Sequence, residues 1–441
     1  MTTFWCEHAL LPGGVRRSVR VVTDRGRILD VRLDEPAEVG DTRLRGVVLP
    51  GLANGHSHAF HRALRGRTHD DGGNFWSWRD AMYAVTHRLD PETYHALARA
   101  VFAEMLLAGY TAVGEFHYVH HAAGGRRYDD PNVMGKALIS AAREVGIRIT
   151  LLDTCYLAGG LTAGGHVPLD HVQERFSDGS AEAWAERVER LAEEETVRIG
   201  AAVHSVRAVP RDDLTVVGEA ATRGERPLHV HLSEQPGENL ACEGFYGCSP
   251  TELLAGEGLL TPSTTVVHAT HLSDRDIELL GTARSIACFC PTTERDLADG
   301  IGPARRLHDA GVRLALGSDQ HAVIDPFEEV RGVEMHERLE SLERGRFAGA
   351  DLLDMASLNG YRSLGWDDGG RIATGHVADL VAVRLDSPRT AGAGTRGVLY
   401  AATATDVTDV VVAGEQVVVD GRHSSGDVGR LLADAIAAVR R

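Results

Sequence analysis

Residues 47–58 read V-V-L-P-G-L-A-N-G-H-S-H. The apolar start reads as a buried strand over 47–55, and Gly55 delivers His56-Ser57-His58 at its end. Residues two apart on a strand point to the same side. His56 and His58 therefore present two imidazoles to one point, as a metal site needs. An H-x-H is common and weak by itself, so the reading turns on the residues further along the chain.

From residue 47 to about 320, short β-rich runs alternate with helical stretches. Further strands are expected at 111–117, 148–154, 197–204, 227–233, 264–269, 285–290 and 312–318. Amphipathic segments lie between them, such as Glu92 to Leu107, Ala181 to Glu194, Asp213 to Arg223 and Asp274 to Leu280. Eight such units in series favour an α/β protein built as a (β/α)8 TIM barrel, over residues 47–369, rather than an open doubly wound sheet. No G-x-G-x-x-G follows the first strand, which disfavours a dinucleotide fold. Residues 1–46 and 370–425 carry short alternating strands, and neither end has enough apolar residues to close a core alone. They are expected to pair as one small composite β-sandwich. Residues 426–441 read as a terminal helix with Leu431, Leu432, Ala435, Ile436 and Val439 on one face. Two long insertions, 65–80 and 156–180, follow strand ends, where such loops usually belong to the site.

A net charge of −17 on 441 residues argues against nucleic acid and anionic membrane as partners. It also means that an anionic substrate needs a local cationic pocket. No stretch reaches the roughly 20 apolar residues of a membrane span, and the N-terminus lacks a basic start and a long apolar run. The six cysteines form no C-x-x-C pair, so neither a zinc ribbon nor a disulfide framework is suggested. A cytoplasmic setting is expected. Lys136 is the single lysine, and the other basic residues are arginines.

Function in such barrels sits at the C-terminal strand ends. There the sequence places His56 and His58, Glu115 to Tyr118, His204 to Arg207, His229 to Glu234, His268, and Ser318-Asp319. His56, His58, His231 and Asp319 suit one divalent ion, Zn2+ foremost, with an open position for water. His229 alternates with His231, and a packed histidine at either position is ordinary; His231 is preferred because it lies nearer the rim and precedes Glu234 by three. Asp319 alone reads equally as a helix N-cap, Glu234 as a surface carboxylate, and His268 as a packed strand residue. Once a metal is granted, Asp319 and Glu234 become proton carriers and His268 a group that polarises the scissile centre or orients the hydroxide. Arg79 and Arg207 are candidates for holding carboxylates, and Tyr118 adds a hydroxyl donor. His117, His120 and His121 could mimic a second metal site, but the ligand set is already complete, so they are read as loop packing or as support behind the ligands.

The ordered set P-G-L-x-N-x-H-x-H (50–58), H-x-x-E after the fifth strand, His on the sixth and S-D on the eighth resembles the amidohydrolase superfamily, as does G-H-V-A-D-L-V (375–381). Dinuclear members bridge their metals with a carbamylated lysine. Lys136 falls in a helical stretch, so the resemblance implies a mononuclear centre. Within that superfamily, F-W-S-W-R-D-A-M-Y (75–83), E-F-H-Y-V-H-H (115–121), H-S-V-R-A-V (204–209) and H-V-H-L-S-E-Q (229–235) resemble the N-formimidoyl-L-glutamate deiminases of histidine degradation. The resemblance implies metal binding by His56, His58, His231 and Asp319, and proton transfer by Glu234 with His268 assisting. It implies a small dicarboxylate substrate held by Arg79, Tyr118, His204 and Arg207, with His61 beside the formimidoyl group or the substrate backbone, and a homodimer. Three places depart from the family pattern: His61 where Gln is expected, Gln320 where Ser is expected, and Arg295-Asp296 where Ala-Asn is expected. They leave open, as an alternative, a deaminase of a related amidine, guanidine or nucleobase-like substrate. A non-catalytic barrel is disfavoured because such relatives lose ligands.

Overall fold

The computed structural model describes residues 1–68 and 75–440, with Phe75, Trp76, Ser77 and Arg79 described by their backbone alone. Eight parallel strands follow one another around a barrel: β1 (Leu52–Ser57), β2 (Tyr110–His117), β3 (Arg148–Cys155), β4 (Val197–Val203), β5 (Leu228–Leu232), β6 (Thr264–His268), β7 (Ile286–Phe289) and β8 (Arg313–Leu316). Each is hydrogen-bonded to its sequence neighbour. The strands are buried throughout or nearly so, which explains why they read as continuous apolar runs rather than alternating ones.

The ring closes between β8 and β1 at the C-terminal rim. The His58 N–H donates to the Asp319 carbonyl (3.1 Å), and the N–H groups of Ser318 and Asp319 both donate to the His56 carbonyl (3.1 and 3.0 Å). Gly317 permits this approach, because a Cβ there would lie 2.8 Å from His56 O and 2.9 Å from His56 Cβ. The seam that closes the barrel is therefore made by three residues of the expected metal site and its neighbour.

The strand expected over 47–55 is two strands. Thr42–Pro50 belongs to the terminal sheet, parallel to Thr2–Leu11 and antiparallel to Leu380–Val383. Pro50 lacks an N–H and ends that ladder. Gly51 makes the crossing into the barrel: a Cβ there would meet Thr111 Oγ1 and Tyr361 Oη at 2.5 Å. The terminal sheet has eight strands drawn from both ends of the chain and forms the β-sandwich, with Thr42–Pro50 between the two contributions. Its own core includes Phe4, Val19, Val21, Leu44, Val48, Leu380 and Val411. A buried ion pair ties it to the barrel, Arg148 donating to both Asp379 oxygens at 3.0 and 3.1 Å.

The helices obey local rules. Pro91–Ala108 begins with a capping box at Asp90 and Thr93, carries Pro at its first turn, and stops at Gly109 in the left-handed region. Ala181–Val188 is shorter than its expected span. The terminal helix runs Val428–Ala438, capped by Asp427, and packs on Pro91–Ala108. The 156–180 insertion folds into a small hairpin, Gly160–Thr162 with Gly165–Val167, and a 3-10 turn at Gln173–Phe176.

Candidate active site

Four side chains expected to share one point do meet at the rim. His231 Nε2 lies 3.1 Å from His56 Nε2. Asp319 Oδ1 stands 3.4 Å from Nε2 of both His56 and His58. The tautomers of two imidazoles are forced. His58 Nδ1 faces the Phe116 carbonyl at 3.0 Å and His231 Nδ1 the His204 carbonyl at 2.9 Å. A carbonyl only accepts, so each Nδ1 carries the proton and each Nε2 presents a lone pair inward. Burial pulls His56 down to about 3 and His58 to about 4, against the attraction of Asp319. Lone pairs and a carboxylate thus face one another in a buried place. That arrangement is repulsive by itself and fits a divalent cation with imidazole and carboxylate ligands. His229 points elsewhere, its Nε2 on the Ser363 carbonyl at 2.7 Å. Asp319 caps no helix; the next one, Pro326–Ser341, is capped by Asp325.

Beside this cluster, His268 Nε2 lies 3.8 Å from Glu234 Oε1 and 4.0 Å from Asp319 Oδ2. Its Nδ1 faces Glu294 Oε1 at 3.5 Å. Burial opposes a charge on His268, but Glu234, Glu294 and Asp319 hold its pKa up at about 10. Glu234 reaches the other way to Arg207, whose Nη2 is 3.6 Å from Glu234 Oε2. Arg207 Nε also pairs with Glu238 Oε2 at 2.9 Å, and Glu238 is fixed by the Ser233 N–H. The sequence reading missed Glu294 and Glu238. Glu238 sits four residues beyond Glu234 at the start of the helix Pro236–Tyr246, a spacing that could have flagged it. Glu294 follows the seventh strand in the same way as the other site residues follow theirs.

The cluster opens into a cavity of about 650 Å3. His61, Tyr118, His204 and Arg207 line it, as do Glu234 and His268. His61 Nε2 bonds the Tyr118 hydroxyl at 3.2 Å, so these two expected contacts form one unit. Arg79 lies on the helix Phe75–Thr86, and its side chain is outside the described residues. Of the three departures, only His61 faces this cavity. Gln320 Nε2 instead bonds Asp296 Oδ2 at 2.8 Å, and Arg295 pairs with Glu328 at 2.9 Å.

Backbone strain concentrates here. Ser233, His268, Asp319 and His321 all hold positive φ, between 40° and 68°. Such residues cost on the order of 1–3 kcal/mol each and persist where surrounding structure fixes them. Lys136 lies on the helix Val133–Val145, largely exposed, paired with Asp130 at 2.7 Å, and outside the lining of the cavity.

The sequence profile of the amidohydrolase family matches residues 47–418. The chain belongs to the amidohydrolase family. It is 38% identical to a formimidoylglutamate deiminase of Pseudomonas aeruginosa, over 96% of each chain. Among solved structures it is similar to an amidohydrolase from Brucella melitensis (TM-score 0.93, 32% identity, all of both chains covered). It is also similar to a zinc-bound adenosine deaminase from Xanthomonas campestris (TM-score 0.83, 25% identity, 99% of this chain and 97% of that one). The amidohydrolase fold accounts for the closed barrel and the sandwich made from both chain ends. Among the described residues, no helix of this amidohydrolase is long and apolar enough to cross a membrane.

Proposed function

We propose that this amidohydrolase is a formimidoylglutamate deiminase of histidine degradation, hydrolysing N-formimidoyl-L-glutamate and water to N-formyl-L-glutamate and ammonia. The observation that carries the reading is the joining, in one cavity, of a cation-ready cluster, a proton carrier and an arginine. The 38% identity to a protein of that name supports it.

His56, His58, His231 and Asp319 would hold one divalent ion, with Zn2+ favoured by the donor set and by the zinc-bound neighbour. When bound, such an ion makes water a competent nucleophile at neutral pH. Asp319 Oδ2, turned toward His268, accepts the proton that the nucleophile loses. Asp319 and Glu234 pass the two protons of the water to the departing nitrogen, which leaves as ammonia. His268, backed by Glu294, steadies negative charge that builds at the reacting centre. Arg207 supplies the fixed cation that a dicarboxylate needs in a chain of net charge −17. His204, Tyr118 and His61 complete that wall, and Arg79 is assigned to the same task from its place in the sequence. A cytoplasmic homodimer is the expected assembly, and light scattering on the purified protein tests its dimeric state.

An ammonia-release assay over a panel of formimidoyl amino acids, with cytosine, guanine and adenosine beside them, tests the reading. N-formimidoyl-L-glutamate should exceed every other compound in kcat/KM. Faster turnover of a nucleobase or nucleoside would overturn it. Arg207→Ala should raise KM about tenfold or more while metal content stays intact; an unchanged KM removes Arg207 from the substrate site.

A further inference from the structure

A buried carboxylate that the mechanism above does not use stands behind Arg207. Glu238 lies in the first turn of the helix Pro236–Tyr246, and its side chain is fully buried. It faces two groups. Its Oε1 accepts from the Ser233 N–H at 2.9 Å, and its Oε2 forms an ion pair with Arg207 Nε at 2.9 Å. Ser233 holds φ at 49° and immediately precedes Glu234, so this contact fastens the turn that carries the proton carrier. Both groups that face Glu238 carry protons and neither accepts. A carboxylate suits both at once. An amide in its place would turn its NH2 group against one of them.

The main chain of Arg207 is held by other means. His166, on the hairpin of the 156–180 insertion, faces the Arg207 carbonyl with Nδ1 at 3.2 Å. A carbonyl only accepts, so Nδ1 carries the proton. The N–H groups of Leu157 and Ala158 both donate to the Ala208 carbonyl, at 2.8 and 2.9 Å. With the backbone pinned, what stays to be set is the direction of a long side chain. Glu238 is its nearest charged neighbour; Glu234 Oε2 stands further off, 3.6 Å from Nη2. Nε is buried against Glu238, whereas Arg207 keeps 26% of its side chain open and lines the cavity. Among the described residues, nothing hydrogen-bonds Nη1 or Nη2. With Nε taken by Glu238, the fork that remains is Nη1 with Nη2, and such a fork takes a carboxylate by two parallel hydrogen bonds.

We infer that Glu238 is the positioning residue of the substrate-carboxylate site, holding the Arg207 guanidinium by its Nε edge so that Nη1 and Nη2 open on the cavity as a fork for a substrate carboxylate. The inference rests on the deiminase reading above. Charge alone makes the opposite prediction. Glu234 and Glu238 set two carboxylates around one guanidinium, and each weakens its pull on an anion. If charge ruled, removing that of Glu238 would tighten the binding of an anionic substrate. If direction rules, the same change loosens it. An amide keeps its oxygen on the Ser233 N–H, which the backbone fixes, and turns its NH2 group against Arg207 Nε, so the guanidinium swings out of line. The sign of the change in KM separates the two.

Steady-state kinetics on N-formimidoyl-L-glutamate, with metal content measured in parallel, tests this on the wild type, Glu238→Gln, Arg207→Ala, the double variant and Arg207→Lys. Glu238→Gln should raise KM about tenfold, with kcat within about threefold and metal content unchanged. In the Arg207→Ala background it should add nothing to KM, since no guanidinium is left to direct. A KM for Glu238→Gln equal to or below that of wild type overturns the inference. So does a rise of the same size in the Arg207→Ala background, which marks a purely structural role. Arg207→Lys keeps the charge but has neither an Nε edge to hold nor a fork to present, so its KM should also rise about tenfold. A KM for Arg207→Lys within about twofold of wild type overturns the inference even if Glu238→Gln fails to fold. Wild-type protein inert toward N-formimidoyl-L-glutamate would sink the deiminase reading and this inference with it, whereas active wild type with an unaffected Glu238→Gln sinks the inference only.

Discussion

Two buried clusters of histidine and aspartate stand at neighbouring strand ends of the same barrel, and they are built for opposite purposes. At the seam of β1 and β8, Asp319 faces Nε2 of His56 and of His58, the latter with its lone pair turned inward, and among the described residues no arginine or lysine forms an ion pair with it. Around the end of β2, His117, His120 and Asp153 also bring three potential ligand atoms within reach of one another. There, however, Asp153 takes two hydrogen bonds from Arg187 (2.9 and 2.8 Å) and one from the Trp184 indole (3.0 Å). His120 spends its Nε2 on the Thr154 carbonyl at 2.8 Å. The carboxylate is already neutralised by a guanidinium, and a divalent ion would be repelled by it. Composition makes both clusters look like metal sites. What separates them is whether an arginine already neutralises the carboxylate.

Removing each carboxylate breaks this comparison most sharply. Asp319→Asn should strip the metal and lower kcat/KM by at least about a thousandfold, with the fold kept, as read by elemental analysis and ammonia release. Asp153→Asn should leave metal content unchanged and instead lower stability by about 1–3 kcal/mol, because the buried Arg187 loses the charge of one of its two carboxylate partners and keeps only Asp178. Thermal unfolding checks the second arm. Loss of metal from Asp153→Asn would erase the distinction.

The arginine-filled cluster also predicts a pH dependence. Burial, aided by Arg187, holds His120 down at about 4. The unfolded chain takes up that proton below about 6.5. Between those values the unfolded state binds more protons, so stability present above pH 6.5 is lost as pH falls toward 4, by on the order of 3 kcal/mol. Denaturant melts of His120→Gln should show a flatter pH profile across that window than the wild type. An identical slope would mean that His120 carries no such penalty.

Smaller effects sharpen the picture. Glu294→Gln keeps an oxygen for the Cys290 N–H (2.8 Å) but removes the charge facing His268. A drop in kcat of about tenfold is expected, with metal content and KM nearly unchanged. Lys136→Ala should alter activity and metal content not at all and cost under about 1 kcal/mol, since its partner is an exposed aspartate. A loss of metal there would revive a lysine-bridged dinuclear centre.

Much of this was legible in the sequence because barrel chemistry is confined to strand ends, and His56, His58, His231, His268 and Asp319 each follow an apolar run. The barrel and the pairing of the two chain ends into a sandwich were legible for the same reason. The break at Gly51 was not, because strands on both sides of it are buried on both faces and leave no change of period. Glu294 and Glu238 escaped because they contact His268 and Arg207 from helices that follow the strands. The positive φ of His268 and Asp319 had no signal either, since neither position is a glycine. Gln173 lay in a stretch read only as a long loop, and its side-chain hydrogen bonds reach residues 14 and 90 positions away. Arg79 remains an expectation of the sequence.

His56, His58, His231 and Asp319 are proposed to hold a single divalent ion on which turnover depends. Titrating Zn2+ into metal-stripped protein while following ammonia release from N-formimidoyl-L-glutamate tests it directly. Activity should rise from background and reach its plateau at one ion per chain. Full turnover by the stripped protein, or a plateau reached only at two ions per chain, would contradict the account.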